Sequence, residues 1–234
     1  MIEIIAEIGQ NFNGDIELAK ELIRLAKING ADVAKFQVYD AKALFPKENN
    51  PWYNYNCKTE LNKEHLKILM DECAKVGIEF MASAFDEERV EWLETLGVKR
   101  YKIASRSISD KVLIDKIMST KKPIIVSLGM WYGDEFPEIE SEAKVDFLYC
   151  VSKYPTELED LHFNNVDFQN KHSGFSDHTL GITAPVVAMS KGARIIEKHF
   201  TLDKDMYGPD HSGSMTPQEL VELVKFKEEI IQCL

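Results

Sequence analysis

Only four of the 234 residues are cysteine, and Cys57, Cys73, Cys150 and Cys233 stand far apart with no C-x-x-C pair. That spacing argues against a structural zinc site and against a disulfide framework, so reduced, mostly buried thiols are expected. Long hydrophobic runs are missing as well. Nowhere do about 18 apolar residues follow one another, and the opening MIEIIAEIGQN has no basic stretch ahead of its short apolar run. Neither a membrane span nor a secretory leader is expected, which points to a cytoplasmic protein with no membrane partner. Basic charge is scarce: 28 Lys and Arg face 39 Asp and Glu, a formal net charge of −11. Nucleic-acid binding by general electrostatic attraction is therefore not expected, and any anionic ligand needs a local pocket of Lys, Arg, metal ion or backbone N–H groups. Repeats, low-complexity segments and flexible linkers are also absent. With 44% hydrophobic and 29% charged residues, the chain reads as a single globular domain over residues 1–234.

What is present is alternation. Short runs rich in Val, Ile and Phe, beginning with IEIIAEIG at 2–9, exchange with amphipathic stretches such as DIELAKELIRLAKING at 15–30. Further strands are expected near 32–38, 78–85, 100–105, 123–129, 145–152, 172–178 and 193–200. Helices are expected at 63–77, 86–97, 180–193 and 216–233. Asp15 and Thr216 suit N-caps, Pro217 a first helical turn, and Gly30, Gly77 and Gly97 helix stops. Eight strand-then-helix units select a (β/α)₈ TIM barrel, with an open doubly wound sheet as the alternative that periodicity alone leaves standing. The fifth and sixth units are weakest, since helical periodicity is poor after Met130 and after Thr156. The longest irregular stretch, residues 40–62, falls between the second strand and its helix. In a barrel it lies at the C-terminal face, where Trp52, Tyr53 and Tyr55 would either cover a substrate or anchor the loop.

Polar and ionisable residues mark the ends of strands that otherwise read as buried: Glu7, Lys35, Gln37, Lys102, Ser105, Ser127, Ser152, Ser176, His178 and His199. Such groups are costly in a core, and barrel closure would bring them together in one pocket. His178 and His199 end adjacent strands, so their imidazoles would share a divalent ion, with a carboxylate or waters completing the shell. Mn²⁺, Co²⁺, Fe²⁺ or Zn²⁺ suits that donor set better than Ca²⁺. Lys35 and Lys102, ringed by Ser83, Ser105, Ser127 and Ser176, suit a compact dianion such as a phosphate ester. The plainer alternative has both lysines neutralised by Glu7 and Asp177. In YGPDHSGSMTP (207–217), Asp210, His211 and Ser214 lie between turn formers and suit either a sugar-hydroxyl site or a capped start to the last helix.

The motifs AEIGQN, KFQ, KIAS, SLGM, SDHT, EKHFT and GPDHSGSMTP, in that order over nearly the whole chain, resemble the sialic acid synthase family. The resemblance implies a TIM-barrel enzyme that condenses phosphoenolpyruvate with a mannosamine-type aldose to give a nine-carbon ulosonic acid and phosphate. It implies a divalent metal, Mn²⁺ with Mg²⁺ or Co²⁺ as alternatives, on His178 and His199. Lys102, Ser105, Ser83, Ser127 and Ser176, helped by Lys35, would hold phosphoenolpyruvate. Glu7, Gln37, Tyr154 and Asp210 would face the sugar, with Glu7 also orienting or deprotonating the attacking water.

The chain departs from that pattern in three places. After KIAS it reads Arg106-Ser107 where the family usually has a sugar-binding Glu at the second position, and Ser152 stands where Asn is common. A C-terminal antifreeze-like domain, which in many relatives reaches over a partner's site, is not expected within these residues. A homodimer or a separate partner carrying that domain is the corresponding expectation. Arg106 raises the alternatives of a phosphorylated acceptor or of a non-catalytic binding barrel.

Overall fold

The computed structural model describes residues 2–133, 135–139 and 141–234. Eight strands, β1 (Glu3–Gly9), β2 (Val33–Val38), β3 (Glu79–Ala84), β4 (Tyr101–Ile103), β5 (Ile124–Ser127), β6 (Val145–Cys150), β7 (Gly174–Asp177) and β8 (Ile195–His199), close in chain order into a parallel barrel. β8 pairs back onto β1, with Glu7 opposite His199. Closure leaves no sheet edge and removes the open-sheet alternative.

Eight α-helices accompany the strands: α1 (Ile16–Ile28), α2 (Ala41–Leu44), α3 (Tyr53–Lys58), α4 (Lys63–Val76), α5 (Glu87–Leu96), α6 (Lys111–Ser119), α7 (Thr183–Ser190) and α8 (Pro217–Cys233). Their apolar residues recur at helical spacing; in α1, Ala19, Leu22, Ile23 and Ala26 are buried. The Asp15 carboxylate caps α1 by accepting from the Glu17 and Leu18 amides. A full capping box of Thr216 and Glu219 opens α8. Gly77 and Gly97 end α4 and α5 in the left-handed conformation, and Gly30, at φ 95°, follows the Asn29 cap of α1, so all three serve as the expected helix stops.

Two expectations need correction. The eight strand-then-helix units are eight strands with helices after six of them. Among the described residues, the β5–β6 connection carries no helix and the β6–β7 connection has only the 3₁₀ turns Leu158–Leu161 and Phe163–Asn165. The physical reason is visible in 131–144, which is polar, interrupted by Pro137 and without an apolar stripe to bury. The long 40–62 segment, in turn, is partly ordered into α2 and α3, the former capped by Asp40. Among the described residues no helix is long and apolar enough to cross a membrane.

The barrel interior is layered, because side chains alternate along each strand. At the N-terminal end Arg100 bridges Glu3 at 2.6 Å and Glu79 at 2.8 Å. Above it Ile5, Val33, Met81, Ile125, Leu148 and Ile195 form a small apolar cluster, separate from the large one between strands and helices. Two residues further along β1, β2 and β8 the side chains become Glu7, Lys35 and Glu197. The apolar layer is thus the floor of a polar chamber that opens at the C-terminal ends of the strands.

Gly174 closes the wall at that floor. A Cβ there would meet the Ile195 carbonyl oxygen at 1.9 Å, and backbone cannot move aside as a side chain can. Gly174→Ala is expected to lower stability by at least the ~1–3 kcal/mol typical of overpacking, read by denaturant unfolding. An unchanged midpoint would mean that β7 and β8 do not approach so closely.

Candidate active site

The side chains nominated by the strand-end pattern, and those the family resemblance assigns to metal or substrate, line one cavity of about 580 Å³: Glu7, Lys35, Gln37, Ser83, Lys102, Ser105, Arg106, Ser127, Ser152, Tyr154, Ser176, His178, His199 and Asp210. They come from all eight strands or the loops just beyond them, so barrel closure alone unites them.

The deepest polar layer is a network of buried charges. Lys35 donates to Glu7 at 2.5 Å and stands 3.6 Å from Glu197. Lys102 lies 3.5 Å from the other oxygen of Glu197 and donates to Ser127 at 2.7 Å. Ser176 donates to Glu197 at 3.0 Å, and Gln37 donates to Glu7 at 3.0 Å. Burial disfavours the Lys35 ammonium, but Glu197 and Glu7 outweigh it and raise its pKa. For Lys102 burial prevails, reinforced by the charge of Lys35 against the pull of Glu197, and its pKa falls. Burial also works against ionised Glu197, yet Lys102 and Lys35 reverse it and hold the carboxyl below its ordinary range. Two hydrogen-bonding atoms of this layer lack partners among the described residues, the Ser83 hydroxyl and one Glu197 oxygen. A buried hydroxyl without a partner, aimed where an anion fits, is a vacancy for an acceptor.

Glu197 was not singled out from sequence, although strand alternation carries the signal: it stands two residues before His199 and therefore on the same face. The expected neutralisation of both lysines by Glu7 and Asp177 is corrected accordingly. Glu197 takes the role assigned to Asp177, which turns away from the chamber and pairs with Lys198 at 2.6 Å.

His178 and His199 lie nearer the mouth with ring centroids 5.9 Å apart. His178 Nδ1 donates to the Val151 carbonyl at 3.0 Å, which fixes the tautomer and leaves Nε2 to accept from the Tyr154 hydroxyl at 2.9 Å. His199 Nδ1 is buried without a partner. Burial lowers the pKa of His199 despite Asp210 and Glu7, favouring the neutral imidazole that metals bind. At His178 burial works the same way, but the Cys150 side chain and the Val151 carbonyl outweigh it and raise the pKa; the two ring nitrogens together, one ring oriented through a backbone carbonyl, fit a divalent ion. Among the described residues no cluster of three or more His, Cys, Asp and Glu side chains is assembled to hold one. Of the carboxylate or waters expected to complete the shell, water or substrate oxygens are what this arrangement leaves room for.

The upper wall of the chamber is more open and more varied in its side chains. Gln10, Asn56 and Trp52 line it beside Tyr154 and Asp210. Tyr55 anchors the long loop, its hydroxyl donating to Gln10 and Asn13 at 2.9 and 2.6 Å, while Trp52 lines the cavity and packs on Tyr207 at 5.3 Å. The anchoring role foreseen for the loop aromatics thus falls to Tyr55, and Trp52 is the one of the three that borders the cavity. In the GPDHSGS turn only Asp210 does so among the three polar residues noted; His211 and Ser214 are fully buried, His211 between Thr201 and Asn13. Arg106 sits at the mouth with its guanidinium over Phe45 at 5.1 Å and Phe85 at 6.0 Å. Ser107 is buried in the turn behind it and does not line the cavity.

The NeuB family profile matches residues 22–234. The chain is 38% identical over 255 residues to N,N'-diacetyllegionaminic acid synthase of Legionella pneumophila, covering 95% of this chain and 70% of that protein. It is 35% identical to human N-acetylneuraminate-9-phosphate synthase, covering 95% of this chain and 68% of that one. Among solved structures, an N-acetylneuraminic acid synthetase from Leptospira borgpetersenii superposes with a TM-score of 0.90 at 32% identity, over 99% of this chain and 84% of the other.

The buried charges make a specific demand on stability. Glu197→Leu leaves Lys35 and Lys102 short of one shared counter-charge and is expected to destabilise by ~3–5 kcal/mol, measured by denaturant melts at neutral pH. Because folding lowers the pKa of Glu197 below its unfolded value, its contribution is complete above that value and fades as pH falls through the folded one. The gap between parent and variant should accordingly narrow on acidification; a gap independent of pH would argue that packing, not charge, sets it.

Proposed function

The chain belongs to the NeuB family, and on that premise we propose that it condenses phosphoenolpyruvate with an aldose of the N-acetylmannosamine type, giving a 3-deoxy-ulosonic, sialic acid-like product and phosphate. The supporting observation is the stacking in one chamber of an anion layer, a histidine pair and a hydroxyl-binding upper wall.

Lys102, Ser127, Ser83, Ser105 and Ser176, with Lys35, bind the phosphate and carboxylate of phosphoenolpyruvate. In a protein of net charge −11 this buried pair of ammonium groups is what makes a polyanion welcome. Gln37, Ser152, Tyr154 and Asp210 orient the open-chain sugar so that its aldehyde carbon faces C3 of phosphoenolpyruvate. His178 and His199 hold a divalent ion, Mn²⁺ with Mg²⁺ or Co²⁺ as alternatives, which when bound supplies a Lewis acid for the aldehyde oxygen. The C3–C1 bond forms as the enol electrons move to the aldehyde carbon, the C=O pair passes to the aldehyde oxygen, which takes up a proton to become a hydroxyl, and C2 is left electron-poor. Water adds at C2 and loses one proton, the C2–O bond to phosphate breaks with its electron pair leaving on phosphate, and the new C2 hydroxyl gives up its remaining proton to leave a ketone. Glu7, whose carboxylate is fixed by Lys35 and Gln37, orients that water and receives its proton.

A second reading concerns the acceptor. Arg106 makes no ion pair among the described residues, and its plane is set by Phe45 and Phe85. A guanidinium held in this way at the mouth favours an acceptor bearing a phosphate.

Purified protein with phosphoenolpyruvate, Mn²⁺ and a panel of aldoses is expected to release phosphate, and a chelator should abolish it. Turnover that survives chelation removes the metal role, and silence across a broad panel removes the synthase reading. His178→Ala with His199→Ala is expected to lose metal binding while keeping the fold, since both rings lie near the rim; loss of the fold would assign them a structural role instead. Arg106→Ala should raise KM for phosphorylated aldoses by roughly tenfold or more and leave neutral ones alone. An equal effect on both would rule out phosphate selection.

A further inference from the structure

We infer that the buried Asp177–Lys198 ion pair sets the spacing of His178 and His199, making Asp177 and Lys198 positioning residues for the site. The inference rests on the reading of the two histidines as metal ligands.

The hydrogen-bonded register between β7 and β8 runs from Gly174 opposite Ile195 to Asp177 opposite Lys198 and stops there, one residue short of the histidines. At the level where the two imidazoles must be held side by side, the ladder has ended. Side-chain alternation sends Ser176, His178, Glu197 and His199 into the chamber and turns the Asp177 and Lys198 side chains toward each other and away from it, although both residues still border the cavity. There Lys198 is almost fully buried and donates at 2.6 Å to Asp177 and at 2.6 Å to the Thr179 carbonyl. The second oxygen of Asp177 accepts from the Thr179 amide at 2.8 Å. One ammonium group, on the residue before His199, thus grips both residues that flank His178. It continues the strand pairing by side chain where backbone pairing has run out.

Stability alone gives little reason for such a pair. Replacing a buried ion pair by neutral groups of similar volume is often neutral or stabilising, whereas a charge-assisted double grip fixes geometry closely. Its placement immediately before each histidine ties that rigidity to the separation of the rings. Outer partners of this kind govern how well ligands hold an ion even when they never touch it.

The test removes both charges at nearly constant volume in the full chain, Asp177→Asn with Lys198→Met, and titrates chelator-treated protein with Mn²⁺ by calorimetry. The expected result is a melting temperature within about 5 °C of the parent and an affinity weaker by tenfold or more. Equal affinities in parent and variant overturn the inference. Should the double variant not fold, Lys198→Arg keeps the charge and displaces the donor. Parent-like affinity in that variant, or weakening that only tracks a lower melting temperature, overturns it as well. A parent chain that binds no Mn²⁺, or binds it equally after His178→Ala, refutes the metal reading itself, and this inference falls with it.

Discussion

Two lysines and two glutamates share the interior of the barrel almost without solvent, and much of the structure follows from keeping them there. An isolated ammonium or carboxylate at that depth would cost several kcal/mol and would discharge by shifting its pKa. Lys35, Glu7, Glu197 and Lys102 avoid this through a chain of contacts that alternates in sign, Glu7 to Lys35 to Glu197 to Lys102, with Ser127, Ser176 and Gln37 satisfying further lone pairs and protons. The balance is incomplete, since Lys102 is still pushed toward its neutral form, and among the described residues the Glu197 oxygen 3.6 Å from Lys35 and the Ser83 hydroxyl have no hydrogen-bond partner. The chamber is stable enough to form and unsatisfied enough to hold a ligand. That combination separates a binding layer from a purely structural ion-pair cluster such as Arg100 with Glu3 and Glu79.

Most of the architecture was legible in the chain because a closed barrel obeys one rule, period-two alternation repeated eight times. The rule placed Glu7, Lys35, Lys102, Ser127, Ser176 and His199 on the inner face of their strands without reference to any long-range contact. It also held the corrections. Counting back two from His199 reaches Glu197, and counting back one from His178 reaches Asp177, turned the other way, so the same rule that found the lysines identifies their partner. The less legible features are those set by loop packing. Nothing local distinguishes Asp210, which lines the cavity, from His211, which is buried against Thr201 and Asn13. Trp52 and Tyr55 likewise differ in role only through what α3 packs on.

The connections lacking helices follow the same logic. Where 131–144 offers no apolar stripe in sequence, the described residues form no helix, and Phe136 packs on Phe147 at 4.9 Å against the wall at β6. These two connections contribute Met130, Ser152 and Tyr154 to the cavity. Irregular backbone there allows the hydroxyl of Tyr154 to reach His178, a contact that a helix beginning directly after the strand would not deliver.

The apolar floor of Ile5, Val33, Met81, Ile125, Leu148 and Ile195, with the Arg100 cluster beneath it, stoppers the barrel at one end. The chamber is consequently a well rather than a passage. Whatever rests on Lys102 and Ser83 has come in past the histidines, and it cannot depart while anything occupies the space above. Traffic through such a vessel is last in, first out, an order imposed by the shape of the wall before any affinity is considered.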